Sequence, residues 1–225
     1  LCDHLLHASP TLNRAALNIG GIANVTVLPR GAPSGGVLAF DTGPGNMLID
    51  RLTERFFSKP FDTDGAIARR GSIVPAFLKR MSRHPYLKLA PPKSTGREMF
   101  GDGYLARLLK EFGREKPEDL VATATEFTAL SVYLNHRLHL RKRDFPDELI
   151  VSGGGARNAY LLDALRRYFY PARVMVSDEA GIPSDAKEAI CFALLAWRTL
   201  RGQSGNLPSV TGARRPSVLG VICPP

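Results

Sequence analysis

The sequence predicts an α/β fold whose strands cluster early and whose later strands are joined by helices. Three observations predict it: short apolar runs that stop at glycines, amphipathic stretches with apolar residues three or four apart, and the order in which the two alternate. Residues 15–19 and 22–28 read as strands joined by Gly20-Gly21, a hairpin signature. After a Pro/Gly loop, 37–40 is a third short strand, ending at Asp41-Thr42-Gly43-Pro44-Gly45-Asn46. A helix follows, with Leu48, Leu52 and Phe56 at four-residue spacing. Residues 58–100 are rich in Pro, Gly and charge and read as a loop-heavy insert with one short helix at 73–81. Tyr104, Leu105, Leu108, Leu109 and Phe112 mark the next helix, and Pro117 with Glu118 and Asp119 opens a longer one to about residue 140. Strand 148–151, the turn Ser152-Gly153-Gly154-Gly155-Ala156 and a helix over 157–169 come next. A strand at 174–176 precedes a last helix starting at Pro183-Ser184-Asp185, whose Ala189, Phe192, Ala193, Ala196, Trp197 and Leu200 make a wide apolar face. The tail from Gly202 is extended or looped.

Composition narrows the class. A chain of 225 residues with 44% hydrophobic content is globular, with room for one large core or two lobes. Its longest apolar stretch, 189–197, is far short of the roughly 20 residues a membrane span needs, so no membrane partner is expected. Cys2, Cys191 and Cys223 are odd in number and far apart, which argues against a disulfide framework and for a reducing cytoplasm. Cys2, His4 and His7 lack a fourth partner at usable spacing, so no protein-held metal is expected. The net charge of +9 comes from scattered pairs and one run, Arg141-Lys142-Arg143, with no interleaved aromatics and no nucleic-acid-binding module. These are read as solvated faces, with an anionic small-molecule substrate as a further reason for the positive field.

Several segments carry candidate chemistry. The glycine turn at 152–156 sits between strand and helix, where bare backbone N–H groups and a helix N-terminus suit a nucleotide; a ligand-free tight turn fits the same residues. It matches neither a P-loop nor a dinucleotide fingerprint. Gly20-Gly21 at a hairpin tip can press N–H groups against a triphosphate, with Asn18 and Asn24 as added donors, or can be an ordinary turn. Asp41, at the exit of a buried strand, suits a general base or a metal–phosphate ligand; an Asx-turn is the plainer reading. Lys93-Ser94-Thr95-Gly96-Arg97-Glu98 has the mixture of cations, hydroxyls and carboxylate that holds sugars and acidic groups, or that decorates a solvated loop. Glu188, three residues after Asp185, reads first as part of a capping box and second as an acid–base partner of Asp41.

Taken together, Asn18-Ile19-Gly20-Gly21-Ile22-Ala23-Asn24, Phe40-Asp41-Thr42-Gly43-Pro44-Gly45-Asn46, Lys93 to Glu98, Ser152 to Asn158 and Pro183 to Ala189 resemble the anhydro-N-acetylmuramic acid kinase family. The resemblance extends through Gly205 to Ala213 and Arg215-Pro216. It implies a ribonuclease H-like/actin-like ATPase lobe, a mixed sheet flanked by helices. The implied activity is phosphotransfer from ATP, with Mg²⁺, that opens 1,6-anhydro-N-acetylmuramic acid with water to N-acetylmuramic acid 6-phosphate. That belongs to cytoplasmic peptidoglycan recycling and amino-sugar catabolism, with a homodimer compatible. By motif, Asp41 is the expected base and Glu188 its assistant. Gly20, Gly21, Asn24, Gly153, Gly154, Gly155 and Asn158 are expected around ATP; Thr42, Gly43, Asn46, Lys93, Ser94, Thr95, Arg97 and Glu98 around the sugar.

The family's first phosphate hairpin, Ser-Gly-Thr-Ser followed by Asp-Gly, does not occur in the sequence, and the chain does not begin with Met. The expectation is therefore a second lobe over 15–225, with a substrate insert at about 58–100, a remnant of the inter-lobe connection at 1–14, a C-terminal helix and tail returning toward a first lobe largely missing here, and no turnover by the fragment alone. A non-catalytic nucleotide-binding regulator of the same superfamily is the alternative; it needs neither Asp41 nor the Arg97 loop. A glycoside hydrolase could pair Asp41 with Glu188 but has no use for two glycine-rich phosphate-type loops.

Overall fold

A computed structural model describes residues 1–223. In chain order its elements are α1 (Cys2–His7), β1 (Arg14–Ile19), β2 (Ile22–Leu28), β3 (Leu38–Pro44), α2 (Met47–Phe57), α3 (Pro75–Ser82), α4 (Arg97–Phe100), α5 (Asp102–Phe112), α6 (Pro117–His139), β4 (Glu148–Ser152), α7 (Ala159–Phe169), β5 (Arg173–Val176), α8 (Lys187–Leu200) and α9 (Pro208–Thr211). The five strands form one sheet in the order β3-β2-β1-β4-β5. β1, β2 and β3 pair antiparallel, as hairpin-linked strands do, while β4 joins β1 and β5 joins β4 in parallel through helical crossovers. This is the ribonuclease H-like arrangement.

The 23-residue helix α6 explains how the parts cohere. At 1.5 Å per residue it is about 35 Å long, enough to serve two cores. Its first half packs with α2, α5 and the 58–100 insert, through Leu120, Val121 and Phe127 against Leu52, Phe77, Phe100 and Leu108. Its second half packs under the sheet, where Ala129 and Val132 join Leu17, Val25, Val151 and the apolar side of α7. A helix buried on so many sides must satisfy its polar residues. The Thr125 hydroxyl donates to the Val121 carbonyl at 2.8 Å and Ser131 to the Thr128 carbonyl at 2.9 Å.

The structure corrects the sequence expectation in five places. β3 does not stop before Asp41: it continues to Pro44, with a register shift opposite Ala23 and Asn24. Pro44 is tolerated because β3 is an edge strand. The insert is not mostly loop, since Phe77, Met81, Tyr86, Leu87 and Phe100 are buried in it; their spacing is too irregular to give a period. α8 begins at Lys187, not at Pro183, and the expected capping box is absent, because Asp185 is drawn to Arg157 by a salt bridge. Phe192, Trp197 and Leu200, expected on an apolar face, are exposed among the described residues. Helices α1 and α9 lie in stretches where no helix was expected.

His136, near the end of α6, is buried between the rings of Phe145 and Phe169, with centroids 5.1 and 5.9 Å away. Burial lowers its pKa to about 4, against a smaller opposite pull from Asp144. Its folded pKa lies below the unfolded value, so its contribution to stability is complete above about pH 6.5 and is lost as pH falls. The expected loss is about 3 kcal/mol by pH 4. Urea titrations at pH 7 and pH 4 should show it, and His136→Phe should flatten that part of the pH dependence; an equally steep loss in the variant contradicts the assignment.

Candidate active site

The carboxyl ends of β1 and β4, the hairpin tip and the segment between β3 and α2 converge. At Gly45 the chain passes so close to the tip that an added Cβ would lie 2.3 Å from the Gly20 carbonyl oxygen. That proximity permits two hydrogen bonds, Gly45 N–H to Gly21 O and Asn46 N–H to Gly20 O, both 2.8 Å. α6 holds the same segment from behind, the Thr128 hydroxyl donating to Gly45 O at 2.8 Å and the Asn135 amide to Thr42 O at 2.7 Å. The segment is thus clamped between tip and helix.

Asp41 is held at every polar atom. Oδ1 accepts from the Asn24 amide at 2.8 Å and Oδ2 from the Thr95 N–H at 2.9 Å. Its N–H donates to Lys93 O at 3.2 Å, and its carbonyl accepts from the Tyr86 hydroxyl at 2.8 Å. Two of these donors come from the insert, which explains why the insert is packed rather than loose. Asn24, Asp41, Lys93 and Thr95 form one cluster, to which Tyr86 adds a partner that sequence reasoning missed.

The glycine turn has two functions in its three glycines. Gly153 has φ +78°, and a Cβ there would lie 2.7 Å from Ile19 O; at Gly155 it would lie 2.5 Å from the Ile19 side chain. Both are small so that the turn can pack on β1. Gly154 meets only the Asn46 amide, at 3.4 Å, and faces open space. Asn158 caps α7, accepting from the Leu161 N–H at 3.0 Å.

Two cavities flank α2 and share Asp50. One, of about 360 Å³, is lined by Gly21, Met47, Asp50, Arg51, Arg97 and Asp102 among others. The other, of about 470 Å³, is lined by Asn46, Ile49, Asp50, Phe61, Asp64, Gly154, Arg157 and Asn158 among others. Burial raises the Asp50 carboxyl to about 6, with Arg51 opposing the rise. Asp50 was not singled out from sequence, although it lies four residues after Asn46, on the same side of the chain as α2 begins.

The remaining sequence candidates are dispersed. Thr42 is buried, its hydroxyl donating to Ala23 O at 3.1 Å, and Gly43 rests against Ser131. Ser94 is exposed, and the Glu98 carboxylate folds back over Gly96. Glu188 is exposed in the first turn of α8 and lines neither cavity. That turn is fixed by its neighbour Lys187, whose ammonium reaches Asp3 at 2.9 Å and the Ser152 hydroxyl at 3.0 Å. Burial alone would raise the Asp3 pKa, but Lys187 and the Thr26 hydroxyl bring it below the ordinary value. Among the described residues no group of three or more His, Cys, Asp or Glu side chains could hold a metal ion, and no helix is long and apolar enough to cross a membrane.

A mixed 3-2-1-4-5 sheet with glycine turns at adjoining strand ends defines the ribonuclease H-like/actin-like class of lobe. Within that class the chain belongs to the anhydro-N-acetylmuramic acid kinase family, whose model matches residues 1–225. A relative of that name from Gloeobacter violaceus is 46% identical over 224 residues, covering 100% of this chain and 59% of the relative. Another, from Clostridioides difficile, is 41% identical over 222 residues, covering 99% and 58%. The chain thus spans somewhat over half the length of the curated relatives it matches. Among solved structures, the activator of 2-hydroxyisocaproyl-CoA dehydratase from Clostridium difficile, with bound ADPNP, is 18% identical at a TM-score of 0.45, covering 88% of this chain and 66% of that one. The xylulose kinase from Lactobacillus acidophilus is 14% identical at a TM-score of 0.44, covering 72% and 34%.

Proposed function

We propose that this chain is the second lobe of a kinase that opens 1,6-anhydro-N-acetylmuramic acid with water and phosphorylates it to N-acetylmuramic acid 6-phosphate. The observation that carries the reading is Asp41, a carboxylate whose two oxygens are each fixed by a separate donor. Such a group is ready to take a proton without reorganising. In the reaction water gives its proton to Asp41 as its oxygen bonds to C1, the C1–O6 acetal bond breaks, and O6 takes the γ-phosphoryl group, leaving ADP. Asn24 and the Thr95 N–H keep the base in place. Glu188, which lines neither cavity of this lobe, is assigned its assisting role only in the site closed by the first lobe, presented by a helix turn that Lys187 ties to Asp3 and Ser152.

Gly21 and Arg97 border the cavity assigned to the phosphate and sugar groups; Arg97 offers a bidentate contact to an anion. Asn46, Gly154 and Asn158 border the cavity assigned to the nucleoside, with the apolar Phe61 and Ile49 beside them. Gly20, Gly153 and Gly155 support these walls, as Thr42 and Gly43 support Asp41. Mg²⁺ enters with the triphosphate as part of the substrate. The three cysteines, free in the structure, suit a reducing cytoplasm. Exposed Phe192, Trp197 and Leu200 on α8 are the surface to which a first lobe, supplied by the additional length of the relatives, would return.

The test compares ATP consumption with and without the anhydrosugar, for this chain alone and for the chain joined to the first lobe of a relative. The joined protein is expected to consume one ATP per sugar, and the chain alone none. Sugar opening without ATP, or tight ATP binding without turnover in the joined protein, overturns the reading.

A further inference from the structure

Lys93 is an unusual cation. Its ammonium donates to two backbone carbonyls, Tyr86 O at 3.1 Å and Leu87 O at 3.5 Å. It lies 4.6 Å from the centroid of the Tyr86 ring and 5.8 Å from that of Phe40. Among the described residues no carboxylate pairs with it, and burial lowers its pKa to about 8. An ammonium meant for a sugar would face the cleft with its donors free. This one is folded inward.

What it holds is the frame of Asp41. Pro91 and Pro92 have no N–H to give, so the irregular segment that follows them is anchored through Lys93 and Thr95. Lys93 uses both ends: its carbonyl accepts the Asp41 N–H at 3.2 Å while its ammonium grips the turn of Tyr86 and Leu87. Tyr86 is gripped at both ends too, by Lys93 at its carbonyl and by Asp41 O at its hydroxyl. His139 of α6 meets the same Leu87 carbonyl at 3.1 Å, tying the turn to the long helix. Two residues beyond Lys93, the Thr95 N–H reaches Asp41 Oδ2 at 2.9 Å.

We propose that Lys93 is a positioning residue for Asp41: by clamping the 91–95 segment to the Tyr86 turn it holds the Thr95 N–H on the carboxylate, and it does not itself contact the sugar. The proposal rests on the reading of Asp41 as the base, but its structural half can be measured without turnover. Hydrogen exchange of the Thr95 amide, followed by NMR on this chain, is compared with that of Leu17 in the core of β1. In Lys93→Met the Thr95 amide is expected to exchange at least tenfold faster while Leu17 is unchanged, which separates local release from global unfolding. Lys93→Arg, which keeps the cation, should bring Thr95 back to within threefold of the wild type. In the joined kinase Lys93→Met should lower kcat at least tenfold with little change in the KM of the sugar. Unchanged Thr95 protection in Lys93→Met, or a raised sugar KM at constant kcat, overturns the proposal. Loss of Thr95 protection in a joined protein that never turns over leaves Lys93 as the clamp and overturns the kinase reading on which its catalytic half rests.

Discussion

Asp41→Asn is expected to lower turnover of the joined kinase by about 10² to 10⁴-fold, the range a positioned general base contributes, while leaving ATP affinity unchanged. The substitution is nearly isosteric, yet it is not silent for the surroundings. Oδ1 accepts from the Asn24 amide and Oδ2 from the Thr95 N–H; the backbone N–H can only donate, whereas the Asn24 side chain can turn over to present its carbonyl oxygen. An asparagine at 41 can therefore keep its carbonyl oxygen on the Thr95 N–H and direct its NH₂ to a flipped Asn24 carbonyl oxygen. What is lost is the charge assistance of the two bonds, about 1 kcal/mol, which a urea titration reads separately from kcat. Stability loss with full turnover would show that Asp41 is a structural acceptor and not the base.

The second large effect belongs to Gly45. A Cβ at that position would meet Gly20 O at 2.3 Å and the Ile22 backbone at 2.9 and 3.1 Å, and backbone cannot rotate away as a side chain can. Gly45→Ala must therefore part the hairpin tip from the start of α2, breaking the Gly45–Gly21 and Asn46–Gly20 hydrogen bonds and disturbing the one from Thr128. Overpacking and two lost bonds together are expected to cost about 3 kcal/mol or more. Gly154→Ala is the natural contrast, because its Cβ would meet only the Asn46 amide at 3.4 Å. It should leave stability within about 0.5 kcal/mol of the wild type and weaken nucleotide binding by narrowing the 470 Å³ cavity. Chemical denaturation and nucleotide titration of both variants check the pair; a Gly45→Ala protein as stable as the wild type contradicts the clamp.

The elements with a clean period could be read from sequence. The hairpin around Gly20-Gly21, the helix carrying Leu48 and Leu52, and the strand before the glycine turn all fall where their apolar spacing put them. Elements whose boundaries depend on partners could not. β3 runs on through Asp41, Gly43 and Pro44 because β2 continues to pair with it, and nothing local announces that. The insert buries Tyr86 and Phe100 without any repeat. At the site, the chemical character of residues 24, 41, 93 and 95 was visible, but which of them touch was not. The Asn24 amide, read as a donor to phosphate, is spent on Asp41, and the inward turn of Lys93 depends on rings at 40 and 86 that sequence places far apart. Asp50 escaped notice because its interest is burial between two cavities, a property of the assembled fold.

The most direct test of the account is a single turnover of the joined kinase in H₂¹⁸O, with rapid quenching and immediate borohydride reduction, followed by mass spectrometry of the product. If water activated by Asp41 attacks C1 while O6 accepts the phosphoryl group, one ¹⁸O is found on C1 and none on the phosphate. Label in the phosphate, with C1 unlabelled, would place the water on phosphorus and contradict the role assigned to Asp41.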